Sequence, residues 1–63
     1  MLNGFRQAKK DFRNAPNGIK AFQDYIFSKY KEALDRYNAA NTSNEREFWA
    51  GYVNACLEVL KGY

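Results

Sequence analysis

The residues able to do chemistry are few. The sequence has no histidine and a single cysteine, Cys56. Without histidine, the usual general base near neutral pH is missing. Cys56 falls within "YVNACLEVL", on the apolar stripe of a helical pattern. Nothing in the adjoining sequence activates the thiol, and a cysteine so placed packs as a small hydrophobe. Glu45 and Glu47 form a nearby carboxylate pair. Acids at the start of a helix serve its cap and dipole far more often than catalysis. A lone cysteine cannot form a disulfide within the chain, and without histidine it leaves no zinc ligand set. There is no glycine-rich phosphate loop. The expectation is a protein that is not an enzyme and uses no metal or cofactor.

Charge is the other chemistry on offer. Arg6, Lys9, Lys10 and Arg13 recur at helical spacing, within about a 100° arc opposite Phe5, Ala8 and Phe12. Such a face neutralises phosphates or docks an acidic protein surface, although four charges also make an ordinary solvated face. Tyr25, Lys29 and Arg36 share the polar side of a second periodic segment, and Tyr and Arg are enriched in binding hot spots. These seven residues are the candidate partner-binding or nucleic-acid-binding set. Residues 1–31 carry seven Lys/Arg against Asp11 and Asp24, a balance of +5, and residues 32–63 carry three against five acids, a balance of −2. That asymmetry suits a nucleic-acid or acidic-partner surface, or two halves of opposite sign attracting one another in a helical hairpin or an antiparallel dimer.

Three helical segments carry these residues. No segment alternates with a period of two. The first runs from Leu2 to Arg13 and stops near Asn14, because Pro16 disfavours helix at Ala15. The second runs from Ile19 to Ala40, capped by Asn17, or by Asn14 with Pro16 in the first turn. Its stripe is Ile19, Phe22, Ile26, Tyr30, Ala33 and Tyr37, widened by Phe27 and Leu34. Glu32 and Arg36 stand i, i+4 in the favourable order. "NAANTSN" breaks the chain, and Thr42 with Glu45, or Asn44 with Glu47, resembles a capping box. The third helix buries Phe48, Trp49, Tyr52, Val53, Cys56, Leu57, Val59 and Leu60, with Gly62 as its stop.

At 63 residues the chain is a single domain, residues 1–63. A chain of this size buries only about 60% of its unfolded surface, so its eleven aromatic residues must supply much of the core. The fold class is all-α: an antiparallel helical hairpin with a short N-terminal helix. The third stripe is wider than one facing helix needs, which leaves room for a homodimer forming a larger bundle. No signal peptide and no membrane-spanning run is visible, so the expected compartment is the reducing cytoplasm.

The segment from Glu45 to Leu60 reads charged–charged–Phe–Trp–x–Gly–Tyr–Val–x–Ala–x–x–x–Val–Leu after its first residue. It resembles the last helix of short uncharacterised proteins from tailed bacteriophages, over about a quarter to a third of the chain. The resemblance implies a phage accessory protein that works by binding, as an inhibitor of a larger host protein or defence complex, or a small virion component. It assigns no functional residue. The function expected is therefore a non-enzymatic helical interaction protein in the host cytoplasm, binding a larger protein or nucleoprotein. The alternative is a small nucleic-acid-binding protein using the basic face of the first helix.

Overall fold

The computed structural model describes residues 2–62, and the side chains of residues 3–62. The chain is all-α, with helices α1 (Leu2–Phe12), α2 (Ile19–Ala39) and α3 (Ser43–Lys61). Their bounds follow the periodicity closely, and the caps carry the differences. Neither Asn17 nor Asn14 caps α2. Gly18 occupies that position at φ 101°, with no side-chain hydrogen bond. This left-handed backbone suits glycine, which has no Cβ to clash, and its carbonyl accepts the Phe22 N–H at 2.9 Å.

α3 is capped as one of the two expected pairs predicts. The Thr42 hydroxyl accepts the Glu45 N–H at 3.2 Å. The Glu45 carboxylate reaches back to the Asn41 N–H at 3.4 Å, one residue earlier than in a strict capping box. Gly62 stops the helix in a right-handed conformation, φ −74°, and its N–H bonds the Val59 carbonyl at 3.1 Å.

α3 is the central element. The short connection after Ala39 folds α3 antiparallel against α2, and α1 packs on another side of α3 while barely touching α2. The breadth of the α3 stripe is thus largely used inside one chain, since it serves two helices. The buried core is small: Ala8 from α1, Ile26 and Ala33 from α2, and Tyr52, Ala55 and Cys56 from α3. Partly buried aromatics, among them Phe5, Phe12, Phe22, Phe48 and Trp49, surround it.

Glycine sets the α1–α3 distance. A Cβ at Gly4 would lie 1.6 Å from the Phe48 carbonyl oxygen and 3.0 Å from the Tyr52 nitrogen. The two backbones therefore touch, with buried Gly4 and Ala8 one turn apart as the small residues on α1. Gly4 against Phe48 and Tyr52, and Lys9 beside Glu58, make α1 and α3 run in the same general direction.

Three expectations need correction. Ile19, Phe27 and Leu34 are not core residues: they are 69%, 49% and 36% exposed. One helix can face only so much of a neighbour, and Ile26 and Ala33 take the contact with α3. Leu57 is likewise 45% exposed. Glu32 and Arg36 form no ion pair with each other; the Arg36 guanidinium instead lies over the Trp49 ring, 5.9 Å from its centroid.

Candidate interaction surface

The site candidates divide between two elements. Arg6, Lys9 and Lys10 lie exposed on the outer face of α1, and Arg13 lies exposed in the turn just after it. Together with Phe5 they line an open, shallow hollow. Phe5 is half-buried at its base, and the Lys9 ammonium stands over the ring at 5.1 Å. The same ammonium lies 3.8 Å from the Glu58 carboxylate on α3, with both side chains largely exposed. This is an ion pair between the basic half and the acidic half of the chain, and at such exposure it contributes little to stability. Arg6, Lys10 and Arg13 have no ion-pair partner among the described residues.

Tyr25 is not on an outer face. It is half-buried, and its hydroxyl donates to the Asp11 main-chain carbonyl at 3.1 Å. Lys29 lies over the Tyr25 ring at 5.5 Å, and Arg36 over Trp49. Tyr25 therefore ties α2 to the end of α1, Arg36 lies against α3, and Lys29 stacks on Tyr25 within α2; none of the three joins the basic face.

Asp11, unremarked in the sequence, organises this region. Its carboxylate accepts the Tyr52 hydroxyl of α3 at 2.7 Å and the Gln7 amide at 2.9 Å. With its carbonyl held by Tyr25, one residue ties the end of α1 to both other helices. Phe12 adds an edge-on contact with the Tyr52 ring, centroids 6.4 Å apart. The sequence signal that finds Gly4 is its spacing, since Gly4 and Ala8 stand i, i+4 as small residues do where two helices approach closely. The Gln7 bond is local, but nothing local marks Asp11 as a tie between helices, because its partners on α2 and α3 are 14 and 41 residues away.

Burial and the Asp11 hydrogen bond both push the Tyr52 hydroxyl well above its ordinary pKa, because ionisation would place an anion in the core beside a carboxylate. Burial pushes the Cys56 thiol up to about 11. Cys56 is fully buried, which matches the packing role expected for it and leaves the thiol protonated near neutral pH.

The crevice where the three helices meet, lined by Asp11, Lys29, Glu32 and Tyr52 among others, holds about 120 Å³. That is room for a few waters, against the several hundred Å³ of a small-molecule site. Among the described residues no group of His, Cys, Asp and Glu is placed to hold a metal ion. Among the described residues no helix is long and apolar enough to cross a membrane. Tyr63 lies outside the described residues. No family model matches the chain, nor does any curated protein or any solved structure.

Proposed function

We propose that this protein is a non-enzymatic binding module that docks, through the outer face of α1, onto an acidic surface of a larger protein. The observation that carries this reading is the placement of Arg6, Lys10 and Arg13 around the Phe5 ring on a helix whose own position is held from two sides. Cations without internal partners, arranged about an aromatic side chain, form the kind of patch in which Arg and aromatic anchors dominate binding. Rigid placement by Gly4 and Asp11 lowers the ordering cost of association.

A protein partner fits better than nucleic acid. Glu58 sits beside Lys9 and reduces the free positive charge to three side chains, too few for tight phosphate binding. The neighbouring exposed acids Glu47 and Glu58 on α3 would repel a phosphate backbone, whereas mixed charge suits a protein interface that needs a fixed register. The resemblance of Glu45 to Leu60 to tailed-phage proteins supports a host protein or defence complex as the target, and the host cytoplasm as the place.

The test is affinity capture from a host lysate with and without nuclease, comparing the natural chain with Arg6→Glu/Lys10→Glu/Arg13→Glu. The expected result is a stoichiometric protein retained after nuclease treatment and lost with the charge-reversed variant. Recovery that vanishes with nuclease would transfer the reading to nucleic acid. Recovery unaffected by charge reversal would remove α1 from the binding surface.

A further inference from the structure

The α2–α3 hairpin has two flanks. α1 covers one through Gly4, Ala8 and Asp11. The other displays Phe27 and Leu34 from α2 and Leu57 from α3, which are 49%, 36% and 45% exposed. Tyr30, whose ring lies 6.1 Å from that of Phe27, is half-buried, as are Val53 and Leu60. We propose that a second copy of this chain covers this flank, through a two-fold contact of α2 against α2 centred near Phe27.

The argument for a second copy, and against an unrelated partner, is the order of charges along the edge of the patch. Lys20, Asp24, Lys31 and Asp35 lie with Phe27 and Leu34 within about a 100° arc of α2. They read plus, minus, plus, minus, and are spaced equally on either side of the point between Phe27 and Ser28. Two copies of α2 packed antiparallel about that point bring Lys20 opposite Asp35 of the partner subunit, and Asp24 opposite Lys31 of the partner subunit. Each attraction then occurs twice, as a two-fold interface requires. Reversing the direction of packing, or moving the axis by a turn, loses this match. None of the four charges forms an ion pair with another described residue. Lys31 already leans over the Phe27 ring, 5.1 Å from its centroid, so the charged edge and the apolar centre are contiguous.

The patch size sets the strength. The stretch from Lys20 to Asp35 is about 24 Å long at ~1.5 Å per residue, and a helix with its side chains is about 10 Å across. A strip of those dimensions buries about 500 Å² over both copies, well below a standard-size interface. The dimer is therefore a concentration-dependent one. α1 lies on the opposite flank, so both basic faces stay open in it, and the inference does not depend on the function proposed above.

The experiment is sedimentation equilibrium from the micromolar range to about 1 mM, the weak end of specific association. The natural chain should pass from its 7.3 kDa monomer mass towards twice that value. Lys31→Glu sets an acid against Asp24 at both symmetry-related positions, and should weaken association about ten-fold. Asp24→Lys/Lys31→Glu exchanges the two signs and should restore it. Both positions are exposed, and unchanged helical circular dichroism checks that each variant folds. A monomer mass at every concentration overturns the proposal. So does a dimer indifferent to Lys31→Glu, or a double variant no better than the single one.

Discussion

Gly4→Ala tests the α1–α3 packing with a change of one methyl group. In a helix free of neighbours this substitution stabilises, by up to about 1 kcal/mol, because alanine loses less conformational entropy. Here the added Cβ would sit 1.6 Å from the Phe48 carbonyl oxygen and 2.6 Å from its carbon. An ordinary carbon–oxygen contact needs about 3.3 Å, so the helices must part by roughly 1.7 Å. Both obstructing atoms are backbone, so no rotamer change relieves the clash. A separation of that size stretches the 2.7 Å Tyr52–Asp11 hydrogen bond beyond useful length and loosens Ala8, which is fully buried. Overpacking costs up to about 3 kcal/mol, and the helix-propensity gain offsets about 1 of these. The net loss is about 2 kcal/mol, equivalent to a fall in Tm of 8–16 °C for a domain this small. Thermal unfolding followed by circular dichroism measures it. The two effects have opposite signs. A variant as stable as the natural chain, or more stable, would refute the close approach of α1 to α3.

Three further outcomes follow from the same contacts. Tyr52→Phe removes the donor to Asp11 and should cost about 1.5 kcal/mol, as for a hydrogen bond to a charged group, read as a lower denaturation midpoint with an unchanged slope. Thr42→Ala removes the cap on α3 and should cost about 1 kcal/mol, while Asn44→Ala, outside the observed cap, should be nearly silent. Stability should also fall in alkali. Cys56 is raised from 9.0 to about 11 in the fold, and Tyr52 is raised above its ordinary 10.0. The unfolded chain releases these protons first, so the contribution of each is complete below its unfolded pKa and declines above it. The Cys56 share is lost between about pH 9 and 11, and Tyr52 begins to add a loss near pH 10, each at up to about 1.4 kcal/mol per pH unit. Denaturation series from pH 7 to 11 measure the slope, and Tyr52→Phe/Cys56→Ala should flatten it.

The candidate surface was legible only in part. Arg6, Lys9, Lys10 and Arg13 share a face because four charges at helical spacing must, whatever α1 packs against. Tyr25, Lys29 and Arg36 were legible as neighbours on α2, but not the Tyr25 tie to α1 or the Arg36 contact with α3. The first depends on where the end of α1 comes to rest and the second on where Trp49 does. The apolar residues of α2 show the same division. Periodicity marks Ile19, Ile26, Phe27, Ala33 and Leu34 as one broad stripe, and one-dimensional pattern cannot say which part of a broad stripe meets its neighbour.

Local chemistry is sufficient for the helices themselves. Apolar spacing, Pro16, the Asn-rich break and Thr42 with Glu45 act over a few residues, within reach of hydrogen bonds and backbone sterics. The burial of Cys56 follows equally from its place in the densest apolar run. Tertiary structure decided what depends on distance in space. It placed α3 between the other two helices, because a backbone contact at Gly4 needs both helices present to exist. It gave Asp11 its role, because a carboxylate becomes a tie only when Tyr52, far along the chain, arrives beside it. It also left Phe27, Leu34 and Leu57 open to solvent, because α3 covers only one stripe of α2, and α1 and α2 together do not surround α3.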